Sequence, residues 1–244
     1  MAGRLYVGTS GFAYPDWRPT FYPATARPSQ LLSLYAARLP AVELNNTFYQ
    51  QPKPERVAAW LEQTPTDFRF VVKAQRGGSL RAFASAATET MEWLTGPYRR
   101  FGERLGTVLL RVPGNVARDD ARLAALLEAW PAEMPLTVEL QHASWRDDEV
   151  LAALSARGVA LCATDLDDAP PPDVRLSGRF LYLRLRRAFY SPVELEAWAA
   201  RLLPFLEDGR DAYVFMRHDA GGESALRAVW LRGRVARRLT SRGA

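Results

Sequence analysis

Short apolar runs in this chain repeatedly end in a charged or amide side chain. In "VELNNTFYQQP", residues 42–52, Glu43 interrupts such a run and Asn45 stands where it stops. "LYVGTS" ends in Ser10, "FVVK" in Lys73, "VLLR" in Arg111, and "TVELQH" carries Glu139, Gln141 and His142. "LCATD" ends in Asp165, "YLRLR" holds Arg184 and Arg186, and "VFMRHDA" closes on Arg217, His218 and Asp219. Half-buried charges are costly unless paired. A chain that gathers this many is expected to be building a site.

The residue types suggest its chemistry. Arginine forks hold phosphate or carboxylate by two-point contacts. That assigns ligand binding to Arg111, Arg184, Arg186 and Arg217. Ser10, Asn45, Gln141 and Asp165 are polar neighbours, and Tyr49 and Trp145 are walls. Glu43 and Glu139 are candidate general bases, because a carboxylate among cations stays ionised. Lys73 could polarise a carbonyl or form a Schiff base if nearby cations depress its pKa. A salt bridge between Lys73 and Glu43 is the simpler expectation. His142 and Asp219 complete the catalytic candidates. Each residue also has a plainer reading. Glu139 with Arg184 can be an ion pair that only fills space, and the aromatics can be ordinary packing. Glu43, Glu139, Asp165, Asp219 and His142 could hold Mg²⁺ or Mn²⁺. No tight ligand spacing exists, however, and the surrounding cations oppose a metal. No metal ligand is assigned and no cofactor is expected.

These residues need elements to position them. Eight strand-like runs occur, at residues 5–8, 41–44, 69–73, 107–112, 136–141, 159–164, 180–185 and 212–216. Helical patterns lie between most of them, at 29–39, 55–63, 84–101, 117–130, 147–157, 192–206 and 222–239. Ser191, Pro192 and Glu194 form a good helix start. The stretch between the sixth and seventh strands, "DLDDAPPPDVRLSGR", is too rich in Pro and Asp for a helix and reads as a loop. Alternating strands and helices imply a parallel sheet covered by helices. Eight of them predict a single-domain (β/α)₈ TIM-type barrel, at a length usual for that fold. An open doubly wound sheet is the alternative, but "GTSG" is not a dinucleotide fingerprint.

Side-chain alternation then sorts the polar residues. In the seventh strand Leu181, Leu183 and Leu185 form a helix-facing side, and Tyr182, Arg184 and Arg186 the other. The fifth strand repeats this with Leu136, Val138 and Leu140 against Thr137, Glu139 and Gln141. Extended to every strand, with Asp165 on the face of Leu161 and Ala163, the rule places all the charged ends at one mouth.

Composition is that of an ordinary soluble globular protein, with 48% hydrophobic and 24% charged residues. No apolar stretch is long enough for a membrane helix. "MAGRLYVGTS" lacks the apolar region of a signal peptide, so a cytoplasmic location is expected. The lone cysteine, Cys162, excludes an intrachain disulfide and reads as a buried hydrophobe. Net charge is +5 and only two lysines occur, Lys53 and Lys73. The positive charge is therefore nearly all arginine, densest in "RAVWLRGRVARRLTSRGA". That stretch reads as an amphipathic last helix with a solvated basic face.

The sequence resembles the YecE-like family, a domain-of-unknown-function family with a TIM-related barrel. The resemblance rests on "VGTSGFAYPDW", "VELNNTFYQQP", "DFRFVVKA", "HASW", "YLRL", "YSPVELEAWA" and "YVFMRHDA", in order along nearly the whole chain. Glu43, Asn45, Thr47, Phe48, Tyr49, Lys73, Glu139, His142, Ser144, Trp145 and Asp219 match the family pattern. Arg111 stands where members usually carry Gln, and Gln141 where they carry Arg. Arg186 and Arg187 replace His-Gly, and Arg217 and His218 replace two asparagines. The Thr-His expected after the third strand is missing from "KAQRGGSL". The resemblance to sugar-isomerase and apurinic-endonuclease barrels implies phosphate or nucleic-acid chemistry only by fold-level analogy. The favoured expectation is a pocket that binds or acts on a small anionic ligand. Nucleic-acid binding and a degenerate non-catalytic barrel are the alternatives.

Overall fold

The eight apolar runs become eight parallel strands in the computed structural model, which describes residues 2–242. They are β1 (Leu5–Thr9), β2 (Ala41–Leu44), β3 (Arg69–Lys73), β4 (Leu105–Val112), β5 (Leu136–Leu140), β6 (Ala160–Asp165), β7 (Phe180–Leu185) and β8 (Asp211–Met216). The helices are α1 (Leu31–Ala36), α2 (Pro54–Glu62), α3 (Arg76–Ser85), α4 (Thr88–Thr95), α5 (Asp120–Ala129), α6 (Asp148–Ala156), α7 (Pro192–Glu207) and α8 (Glu223–Arg242). Strand order runs β1-β8-β7-β6-β5-β4-β3-β2, which is a TIM-type barrel. No helix joins β6 to β7. Val174 and Leu176 of that loop instead pack on the outer core, and Ser177 Oγ donates to Val159 O and accepts from Leu161 N. Ser191 and Glu194 cap α7 reciprocally, as expected. No described helix is long and apolar enough to cross a membrane.

The barrel consists of two four-stranded halves, β6-β7-β8-β1 and β2-β3-β4-β5. β5 pairs with β6 over only two residue pairs. β1 meets β2 at a single bridge, Ser10 with Glu43. Below that bridge Gly8 lies so close to β2 that a Cβ would fall 2.0 Å from Ala41 O. The hydroxyl of Tyr35, from α1, fills the seam. It accepts from Thr9 N at 2.8 Å and donates to Ala41 O at 3.0 Å, standing in for ladder bonds. Tyr35→Phe will leave that buried N–H and C=O unpaired. The expected cost is about 1–3 kcal/mol in urea unfolding, and an unchanged midpoint would contradict this role.

The core has two parts. Leucines and valines on the outer faces pack against the helices. Inside the barrel Tyr6, Val71, Leu109, Phe180, Tyr182, Tyr213 and Phe215 form a separate plug, with Tyr6 and Tyr213 stacked at 4.8 Å. This plug closes the floor, so polar interior residues above it face only the strand C-termini.

One expected helix is redrawn. The pattern over 84–101 is broken at Ala86, which takes φ 49°. A helix lies before it, α3, and α4 and a 3₁₀ segment (Gly96–Arg104) follow. Two glycines hid α3 in the sequence. Gly78 is required there because α4 crosses close by, and a Cβ would lie 2.6 Å from the Trp93 ring.

Candidate functional site

The mouth has two tiers. The lower one is closed. Arg184, 4% exposed, donates from one terminal nitrogen to Glu43 Oε1 and from the other to Glu139 Oε1, both at 2.9 Å. Glu43 is fully buried. Its Oε1 also accepts from Ser10 Oγ at 2.7 Å and its Oε2 from Tyr182 OH at 2.8 Å. Burial alone would raise the Glu43 pKa. Arg184, Arg186, the Ser10 hydroxyl and Lys73 outweigh it and bring the carboxyl down to about 2. Glu139 Oε1 accepts from Thr164 Oγ1 as well, but its Oε2 is buried without a hydrogen-bond partner. Arg184 comes from one half of the barrel and both glutamates from the other. It rivets the halves together.

The upper tier is open and cationic. Arg186, half-buried, donates to Ser10 Oγ at 2.9 Å and has no carboxylate partner among the described residues. Burial and Arg184 pull its pKa down. Arg217 is exposed. His218 stacks on Tyr14 at 4.9 Å, and burial, Arg186 and Arg217 hold its imidazole below the usual range. Asn45 sits beside the Tyr14 hydroxyl. Arg111 lies 3.9 Å from Glu139 Oε2 and donates to Gln141 Oε1 at 2.7 Å. The expected Lys73–Glu43 salt bridge is not formed, because Arg184 and Ser10 already occupy that carboxylate. The Lys73 ammonium instead lies 4.3 Å over the Phe48 ring. Beside it opens a cleft of about 330 Å³ lined by Phe48, Arg76, Leu80, Arg111, Pro113, Asn115 and Val116.

Five other sequence candidates lie elsewhere. Asp165 does not face the mouth. Cys162 and Thr164 take the interior positions of β6, so Asp165 points outward with Leu161 and Ala163. There it accepts from Arg187 at 2.9 Å and from Tyr190 OH at 2.9 Å, anchoring the β7–α7 loop. Asp219 is used in the turn before α8, where it accepts from the N–H groups of Gly222 and Ser224. Trp145 is core, packed on Phe83 and donating to Val116 O. His142 Nδ1 caps the 143–145 turn at Ser144. Tyr49, 77% exposed, stands on the loop after β2 against Phe48. The five residues considered for a divalent metal are thus not brought together, and no group of three ligand-type side chains converges among the described residues. Sequence reasoning missed Phe48, Arg76 and Asn115, which sit on loops or on the unforeseen α3 and carry no strand periodicity.

Comparison with known proteins agrees with this architecture. Two curated relatives are the UPF0759 protein YunF of Bacillus subtilis, 21% identical over 91% of each chain, and the UPF0759 protein YecE of Escherichia coli. The latter is 29% identical over 57% of this chain and 48% of its own length. Among solved structures, a DUF72 family protein of Thermotoga maritima superposes with TM-score 0.83 at 28% identity, covering 96% of this chain and 99% of that one. A DUF72 family protein of Enterococcus faecalis gives 0.72 at 20% identity, covering 96% and 98%, and shows the shared fold. The model of the family described as "Protein of unknown function DUF72" matches residues 6–242, so the chain belongs to the DUF72 family, the family of the YecE-like proteins.

Proposed function

We propose that the mouth of this barrel binds a small anion, a phosphate or carboxylate compound, and that the upper-tier cations hold it. One observation carries the reading. Arg186 is half-buried and lacks a carboxylate partner, although two glutamates lie close by. Both are already bound to Arg184. A desolvated guanidinium without a counter-ion favours an anion from outside. Lys73 and Arg217 add to the same field. Acid–base work on that ligand would fall to Glu139, the mouth carboxylate with an oxygen that accepts no hydrogen bond.

The basic last helix supports nucleic-acid binding less well. Arg234 and Arg238 are both paired with Glu196, and Arg232 is spent on Arg38 O.

Thermal unfolding with phosphate, phosphorylated sugars, small carboxylates and short oligonucleotides tests the proposal. At constant ionic strength, one class of small anion will raise the midpoint by several degrees. Arg186→Ala will weaken that ligand by roughly tenfold to a hundredfold, as loss of a charge-assisted hydrogen bond does. A response to oligonucleotides alone, fading with salt and indifferent to Arg186→Ala, would overturn it.

A further inference from the structure

Lys73 has an unusual setting for a lysine at a strand end. Its ammonium makes no hydrogen bond or ion pair with any described residue, and its specific contact is the ring of Phe48. Glu43 and Glu139 act on it through space, as do Arg184 and Arg111. A lysine kept for structure would pair with one of those carboxylates. Here both point at Arg184 instead. Burial and Arg184 lower the Lys73 pKa, and the two carboxylates offset this only in part, which increases the share of free amine. Two of the groups around it, Phe48 and Arg111, also line the 330 Å³ cleft. A ligand in that cleft meets Phe48 and Arg111, the two groups that the cleft shares with the surroundings of Lys73. Glu139 Oε2, a buried carboxylate oxygen without a hydrogen bond that faces Arg111 at 3.9 Å, belongs to the same set of groups.

We infer that Lys73 is an amine nucleophile that forms a Schiff base with a small anionic carbonyl compound, either a 2-oxo acid or an aldehyde phosphate. This rests on the anion-binding reading above. Arg186 and Arg217 hold the anionic group. The Nζ lone pair attacks the carbonyl carbon, the C–N bond forms and the C=O π pair moves to oxygen. Nζ loses a proton, which Glu139 can accept, and the oxygen gains one. The hydroxyl so formed takes a second proton, returned by Glu139, and leaves as water while the nitrogen lone pair closes a protonated C=N bond to Lys73. No oxidant or reductant takes part.

The test uses borohydride, which adds hydride to the C=N carbon and fixes the ligand as a secondary amine. The full-length protein is incubated with pyruvate or with glycolaldehyde phosphate, reduced and digested, and the lysine peptides are weighed. Lys53, exposed at the start of α2, is the only other lysine and serves as an internal control. One carbonyl anion is expected to label Lys73 about tenfold or more over Lys53, because binding raises its effective concentration at the amine. The arm that labels identifies the anionic group. Labelling at residue 73 will vanish in Lys73→Arg and Lys73→Met. Lactate and glycerol phosphate, the non-carbonyl counterparts, are run in parallel by thermal shift. If they stabilise the wild type but not Arg186→Ala while Lys73 stays unlabelled, the Schiff base is wrong and the anion site stands. If no small anion stabilises or labels the protein, both fall. Equal labelling of Lys53 and Lys73 also overturns the inference.

Discussion

Arg184→Met will destabilise the protein by about 3–5 kcal/mol, the cost of removing one partner from a buried ion cluster. Arg184 is the common partner of two carboxylates that are themselves nearly inaccessible, Glu43 fully and Glu139 at 4% exposure. Methionine fills similar space but leaves both carboxylates facing an apolar plug. The loss also falls where the barrel is weakest. β1 and β2 share a single bridge, and β5 and β6 only two pairs, so the two ion pairs are a principal link across the halves. At roughly 2–4 °C per kcal/mol for a chain of this size, the melting temperature should drop by about 10 °C. Urea unfolding followed by tryptophan fluorescence measures it. The triple variant Glu43→Gln, Glu139→Gln, Arg184→Met should regain much of the loss, because the penalty is that of unpaired charge. A triple variant no better than Arg184→Met would contradict the electrostatic account.

The second large effect is in pH. The Glu43 carboxyl titrates at about 2 in the folded protein against an ordinary 4.5. A folded pKa below the unfolded one means that the unfolded chain binds the proton more tightly. Stability from this group is therefore fully present above about pH 4.5 and lost as pH falls towards 2. The difference corresponds to about 3 kcal/mol. Urea midpoints of the wild type should fall steeply across that window. In Glu43→Gln the slope should be shallower, on a lower baseline at neutral pH. Parallel curves for the two proteins would show that Glu43 is not the group responsible.

These effects explain why part of the site was legible in the sequence. In β7 strictly alternating leucines assign Arg184 to the interior without ambiguity, and β5 does the same for Glu139. All eight strands lie within a residue or two of the apolar runs that predict them. β6 is different. "ALCATD" is small and apolar on both faces, so alternation could not tell inside from outside, and Asp165 was placed in the mouth when it braces a loop. Asp219 and Trp145 show a second limit. A polar or aromatic residue beyond a strand end can serve a turn or the outer core as readily as a ligand, and only packing distinguishes them. α3 was hidden because Gly77 and Gly78 lower helix propensity, while contact with α4 requires the small residue at Gly78. The Lys73–Glu43 pairing failed on competition: Arg184 offers a two-pronged fork to the same carboxylates, and a point charge cannot displace it.

The two tiers also sort the family resemblance. Glu43, Lys73 and Glu139, which match the YecE-like pattern, belong to the riveted cluster and its edge. Arg111, Gln141, Arg186, Arg217 and His218, which depart from it, form the rim. Retained carboxylates under an altered rim are what the proposed anion site expects of a change of ligand on an unchanged fold.

In the proposed site Arg184 is closed by its two glutamates, and Arg186 is open to an anion. Nitrogen-15 arginine labelling resolves both side chains by their Nε–H signals, assigned through Arg186→Lys and through Arg184→Lys. Titration with the anion that best stabilises the protein should shift the Arg186 signal saturably, with Arg217 following, and leave Arg184 nearly still. Shifts confined to arginines of α8 such as Arg227 and Arg237, or growing without saturation, would contradict the account.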